Sequence, residues 1–305
     1  MRELGRKRRI PVGTGRILTA VMVLTAVSIS IAVPVATIPQ LPQFSPWPVI
    51  AGLAPWMLGK YVLCPLRWHS ISESGRSRRW HLVAYAESEL LGLLTPGHVG
   101  ADAWRVKRLR GTGMPVGSAA AEVALDRLVG AIGLVAFVAC AASTLPISMA
   151  LTALGLAAGG LGIVLAVGKV RPQWVPRRPL PPLRRLARGL VLSVLYQVTI
   201  VALLVGTLEA TGHGVSPLEA LGALGASQLA GAVPGPQGAS PRDGALVVAL
   251  MALGVPWAAA LSAVTLKAMV AWGPGILLGG GCLLLARRHR RHDGGPVPAA
   301  GPAVA

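Results

Sequence analysis

The chain has 305 residues, 53% of them hydrophobic and 13% charged, with a formal net charge of +18. A soluble domain carries about a quarter charged residues, and apolar runs of about 20 residues match the width of a hydrocarbon core, so the class is polytopic α-helical membrane protein. The ten-residue alternation of a β-barrel is missing. The basic residues sit in short loops between apolar runs, which is an orientation signal, so no nucleic-acid partner is expected.

In chain order, a basic N-terminus (1–16) leads into a first span at about 17–36 and an uncharged loop, TIPQLPQFSPW. Pro34 and Pro39 end the first stretch where a cleavage site would be sought, so it reads as an uncleaved helix. A second span covers about 47–66 and is followed by the strongly basic RWHSISESGRSRRWH. The excess of Lys and Arg puts the N-terminus and this basic loop in the cytoplasm. The segment 82–94 is too short to cross, carries Glu87 and Glu89, and has basic flanks on both sides. A re-entrant half-helix satisfies all three facts, because broken backbone is tolerated in a membrane where protein or water surrounds it.

Further spans are expected at 116–142 and 147–168, then a Pro-rich basic loop, then a span at 189–208 that leads to a loop with only acidic formal charges. The segment 218–233 is short and ends in PGPQGASPRDG; spans at 245–264 and 268–286 complete a domain of 17–286. The tail 287–305 is basic and then Gly/Pro/Ala-rich, a disordered composition. If 218–233 crosses, the basic C-terminus lies in the cytoplasm; if it re-enters, the C-terminus lies outside, against the charge rule. The expected fold is therefore an all-α membrane helix bundle of about 7–8 spans with one or two short Pro/Gly-broken re-entrant segments.

Two segments echo each other: SELLGLLTPGHVGAD from Ser88 and SQLAGAVPGPQGASPRD from Ser227. Each has a Ser, an apolar half-helix, PGxxG and an Asp. Such pairs mark internal repeats in transporters, with the binding site between them.

Chemistry is sought among charges in or beside the apolar core: Glu87, Glu89, Asp102, Glu122, Asp126 and Asp243. A charge at the bilayer centre costs about 2.5–3.5 kcal/mol on insertion scales, so partners or a wet cavity are expected. Glu122 and Asp126 share a helix face, Arg127 adjoins Asp126, and Lys267 begins the last expected span. Glu122 near a helix end has solvation as its plain alternative. The turns at Gly97, Gly100, Gly235 and Gly238 offer backbone N–H groups that suit phosphate or carboxylate, and Arg105 adds a phosphate fork. Lys107, Arg108 and Arg110 read as anchors at an anionic leaflet. Cys64, Cys140 and Cys282 are dispersed and the six histidines are scattered, so no metal site or cofactor is expected. GTGMPVG follows no strand and is discounted as a dinucleotide fingerprint. No local motif supports enzyme chemistry, and no catalytic residue is assigned.

The stretch 95–134, with Pro96, Gly97, Gly100, Asp102, Arg105, Asp126 and Arg127, resembles the first motif block of the lysylphosphatidylglycerol synthase transmembrane-region (flippase-like) family. The stretch 232–272, with Pro234, Gly235, Gly238, Arg242, Asp243 and Gly254, resembles its second block. Three departures stand out: Pro236 replaces a Gly, Ser240-Pro241 look inserted, and Lys267 stands where an Arg is usual. The resemblance implies a multi-pass bacterial inner-membrane protein that moves or presents an anionic or aminoacylated phospholipid, or a lipid-linked sugar. Gly97, Gly100, Asp102, Arg105, Asp126, Arg127, Gly235, Gly238, Arg242, Asp243 and Lys267 would be its substrate-binding residues. The chain ends soon after the last expected span, so a soluble aminoacyltransferase domain and lysyltransferase activity are not expected. Expected partners are membrane lipids. The alternative is a non-catalytic scaffold for a cell-envelope glycosyltransferase or lipid-synthesising enzyme; a transferase acting on polyprenyl-phosphate sugars ranks last.

Overall fold

A computed structural model describes residues 21, 24, 25, 28, 31–33, 35–41, 43–93, 95, 98–141, 180–230 and 240–285. The expected span at 147–168, most of the one at 17–36, both termini, Gly97, Gly235 and Gly238 lie outside the described residues. Among those described, the secondary structure is helical throughout.

From Trp47 on, nine α-helices follow in order among the described residues: α1 (Trp47–Leu58), α2 (Cys64–Ile71), α3 (Arg78–Leu93), α4 (Val99–Arg110), α5 (Val116–Ala141), α6 (Leu183–Ala210), α7 (Pro217–Ala230), α8 (Pro241–Ala252) and α9 (Trp257–Pro274). A π-turn, Gly59–Leu63, joins α1 to α2, so Trp47–Ile71 is one continuous helix of 25 residues. Another, Gly275–Gly279, extends α9 into a 29-residue helix ending at Leu285. At 1.5 Å per residue these helices, with α5 and α6, exceed the ~30 Å of a hydrocarbon core, whereas the 12- to 16-residue helices α3, α4, α7 and α8 do not.

The centre is an antiparallel pair, α1–α2 against α6. A Cβ on Gly52 would lie 2.7 Å from the Ala202 carbonyl oxygen, and one on Gly206 would overlap the Pro48 carbonyl. In lipid, helices associate by close backbone approach at small residues rather than by expelling water, and these two glycines permit it. Leu203, Leu204 and Leu208 of α6 then pack with Leu224 of α7, Leu246 and Leu250 of α8, and Ala259, Ala260 and Ala263 of α9.

Helix α3 leaves from the Ser72–Ser77 turn and α4 returns to the same end, where α5 begins after Pro115. Trp68 and Ser72 contact Glu122 near the start of α5, and Ser70 lies against Gly189 near the start of α6, so these segments share that end of the bundle. It carries Arg76, Arg78, Arg79, Lys107, Arg108, Arg110, Arg184, Arg185 and Arg188. At the other end α6 stops at Gly212, φ +76°, with the His213 N–H donating to the Leu208 carbonyl at 3.2 Å. This is a Schellman stop, which needs a left-handed residue that glycine supplies without strain. Helix α7 departs from there.

Helices α7 and α8 pack on each other, with the Arg242 guanidinium at 2.8 Å from the side-chain amide of Gln228. Helix α8 begins with a capping box: the Ser240 hydroxyl accepts from the Asp243 N–H at 3.2 Å and Asp243 accepts from the Ser240 N–H at 3.2 Å. It ends in a second Schellman stop at Gly254, φ +87°, followed by Pro256 and α9. Helix α9 then runs antiparallel to α3, as a Cβ on Gly279 would lie 2.6 Å from the Ala86 carbonyl oxygen and one on Gly275 2.6 Å from Leu93. The two hairpins, α3–α4 and α7–α8, thus open to opposite ends of the bundle.

This arrangement corrects the expected course of 218–286. The two spans expected at 245–264 and 268–286 are one short helix, a Gly254 break and one long helix. Of the segment 218–233, the described part to Ala230 is an arm of a hairpin. With a single long helix after that hairpin, the helix ending at Leu285 returns to the basic end of the bundle, so re-entry and the charge rule agree. The segment 99–110, read as a charged loop, is the helix α4.

Candidate functional site

Five charged side chains form one continuous network between the first hairpin, α2 and α5. Asp126, fully buried, accepts from Arg67 Nε at 2.8 Å, Arg67 Nη2 at 3.1 Å and Arg105 Nη1 at 2.7 Å. Asp102 lies 3.4 Å from Arg105 Nη2 and accepts from Arg127 Nε at 3.0 Å. Arg105 is 1% exposed, with its guanidinium 5.0 Å from the Tyr85 ring centre and 5.6 Å from that of Trp68. The face of α4 that turns inward carries Ala101, Arg105 and Leu109, one turn apart. The sequence thus places an arginine at a core position, and that position is filled because a carboxylate waits there. Burying a lone charge is prohibitive; burying it in a bidentate, doubly bonded cluster is not.

Gly100 serves packing rather than an open turn. Its N–H donates to Thr95 Oγ1 at 2.8 Å, and a Cβ there would lie 2.6 Å from the Leu91 carbonyl oxygen. His98 next to it is left-handed, φ +58°. Glu122 accepts from Trp68 Nε1 at 3.1 Å, Ser72 Oγ at 2.6 Å and the Glu73 N–H at 3.2 Å, so it holds the turn between α2 and α3 rather than being solvated. Glu87, fully buried, accepts from Trp104 Nε1 at 2.9 Å and has Arg108 Nε at 3.1 Å; Arg108, read as a leaflet anchor, is thereby drawn into the hairpin.

The second hairpin brings together a smaller group. Arg242 is half-buried against Gln228, Asp243 caps its own helix, and half-buried Lys267 of α9 lies in the field of both Arg242 and Asp243. The two residues that look inserted, Ser240-Pro241, are the cap and first residue of α8. The predicted residues therefore fall into two clusters: Asp102, Arg105, Asp126 and Arg127 at the first hairpin, and Arg242, Asp243 and Lys267 at the second.

Two central cations were not foreseen. Arg67 was counted into the basic loop, but it lies inside the helix Trp47–Ile71. Lys60 sits on the π-turn with its Nζ 2.9 Å from Glu89 Oε2, about 6 Å from the rings of Tyr85 and Tyr196. The signal was present, since an ionisable residue inside an apolar run is a functional candidate by default. Among the described residues, no group of three or more His, Cys, Asp or Glu side chains could hold a metal ion.

A membrane helix bundle with two oppositely opening hairpins and buried ion pairs where the first meets the bundle is the class that the geometry defines. The family model described as the lysylphosphatidylglycerol synthase TM region matches residues 12–279, and the chain belongs to that family. No curated protein and no solved structure matches it.

Proposed function

We propose that the protein moves, or presents for movement, a lipid with an anionic headgroup between the leaflets of a bacterial cell membrane, with the Arg-rich end of the bundle in the cytoplasm. The observation that carries this reading is the pair of hairpins opening to opposite ends, the first with the buried Arg105 and the second with the half-buried Arg242. Half-length, Pro/Gly-interrupted helices in two corresponding places are the design that lets one site face alternate sides. Arg242 and Lys267, with Asp243 beside them, offer the headgroup two cations on the second hairpin's side. The protein acts as a transporter rather than a lysyltransferase.

The test is lipid movement in vesicles of phosphatidylcholine containing fluorescent phosphatidylglycerol, followed by quenching of the outer leaflet. The intact protein is expected to raise the rate at least tenfold over protein-free vesicles, and Arg242→Ala to lose most of that gain. A rate equal to protein-free vesicles overturns the reading.

A second reading is favoured by one observation: Arg105 is fully enclosed by Asp126 and Asp102, as in a static strut. On that reading the protein is a scaffold for a cell-envelope glycosyltransferase or lipid-synthesising enzyme. A stoichiometric partner on purification, with no lipid movement, would establish it.

A further inference from the structure

Lys60 lies midway along the helix Trp47–Ile71, which is long and apolar enough to cross a membrane. Its backbone is irregular for local reasons. Pro65 has no N–H to offer the Tyr61 carbonyl, and the Cys64 N–H reaches back instead to the Gly59 carbonyl. Gly59 itself is pressed against Thr199 of α6, where any Cβ would collide with the threonine side chain. π-turns of this kind are frequent at functional positions.

The ion pair that Lys60 makes differs from the one around Asp126. Asp126 is held by two arginines through three hydrogen bonds and is fully enclosed. Lys60 and Glu89 share a single 2.9 Å contact, and the lysine side chain keeps 16% exposure. One partner sits on a spanning helix and the other on a hairpin helix. The groups around the pair are Tyr61 of the π-turn, Cys64 of α2, Tyr85 of α3, Arg105 of α4, Tyr196 of α6 and His98 of the hairpin tip. The field of Arg242, from the second hairpin, also reaches Tyr196.

We infer that Lys60–Glu89 is a proton-coupled exchange point, at which the phosphodiester of a lipid headgroup replaces the Glu89 carboxylate on the Lys60 ammonium. The inference rests on the lipid-moving reading above and adds its coupling. An anion arriving on Lys60 would leave Glu89 as an unpaired buried charge, which is strongly unfavourable. Uptake of one proton by Glu89 removes that charge. Before exchange the site holds an ammonium and a carboxylate; afterwards it holds an ammonium, a phosphodiester anion and a neutral carboxylic acid. One anion and one proton have entered together, so net charge is conserved. The covalent bond formed is the O–H of Glu89, with the proton drawn from water on the open side. When the lipid leaves, the proton leaves and the ion pair closes again.

Two measurements test this. In vesicles with an entrapped pH dye, wild-type protein should take up protons as fluorescent phosphatidylglycerol moves. Its rate should change at least threefold between no pH gradient and a gradient of one unit. Glu89→Gln should be slower and lose the response to the gradient, and Lys60→Met should lose at least tenfold in rate, with Lys60→Arg partly restoring it. For a readout free of transport, infrared difference spectra of the wild type with ether-linked phosphatidylglycerol should show a new carboxylic-acid C=O stretch. The band should be absent with diether glycerol and absent in Glu89→Gln. Lipid movement without proton uptake, or a band that survives Glu89→Gln, overturns the inference and leaves the lipid-moving reading standing. Wild-type protein that moves no lipid overturns both. The wild-type spectra decide even if the Lys60 variants fail to fold.

Discussion

Asp126→Asn should be among the most destabilising single-atom exchanges available in this protein. The amide is isosteric with the carboxylate, so packing is kept and the loss is electrostatic. Arg67 and Arg105 then lose the carboxylate that held them at 2.7–3.1 Å, Arg105 keeping Asp102 at 3.4 Å, and both arginine side chains are at least nine-tenths buried. Removing one partner of a buried pair costs about 3–5 kcal/mol because the remaining charge is stranded, and here Arg67 loses its ion-pair partner. Arg127→Gln is the matched control. It removes a contact of similar length, 3.0 Å, but its side chain is 46% exposed, and exposed pairs contribute roughly 0–1 kcal/mol. In detergent, thermal unfolding followed by far-UV circular dichroism should show Asp126→Asn lower by on the order of 10 °C and Arg127→Gln within about 2–3 °C of wild type. Adding Arg67→Met to Asp126→Asn should recover part of the loss, as expected for neighbours in one network. Equal shifts for the two single variants would refute the claim that Asp126 is the buried keystone and Asp102–Arg127 its solvated rim.

Two more outcomes follow from the packing and the topology. Gly206→Val should sharply reduce the folded yield of the purified protein, because any Cβ there meets the Pro48 carbonyl, whereas Gly117→Ala, with open space around it, should be neutral or stabilising by about 0.5–1 kcal/mol through helix propensity. With the three native cysteines replaced, a membrane-impermeant thiol reagent applied to intact cells should label Gly214→Cys and not Arg76→Cys, since the two loops lie at opposite ends of the bundle. Labelling of both from the same side would break the opposed-hairpin arrangement.

The sequence made some of this legible and hid the rest for identifiable reasons. Pro-Gly breaks are strong local signals, so the sequence set PGHVG and PGPQG apart, and the helices on either side of each, α3 and α4, α7 and α8, pack as hairpins. Asp102, Arg105, Asp126 and Arg127 were singled out because charge is rare in apolar surroundings, and they do converge. Helix α4 was missed because its inward face carries Arg105, and periodicity analysis looks for apolar residues at such positions. The stop at Gly254 was also written in the sequence, as Gly followed by Pro256, but hydropathy runs through it without a dip. Lys60 and Arg67 were passed over because one lies inside the apolar run 47–66 and the other was counted into the basic loop that follows it. What pairs them, Glu89 and Asp126, is distant in sequence, and no local pattern announces the match.

The opposed hairpins also bear on how this chain is threaded through its membrane. A hairpin returns the chain to the face it came from, so it adds nothing to the parity of crossings. Only the long helices decide which loop lies on which side, and the clustered arginines need to agree with those alone. Each hairpin can therefore be pushed deeper, drawn back or left out during insertion without carrying any loop across the bilayer. The hairpins and the crossing helices are separate sets of residues, and selection can alter one while the other stays fixed.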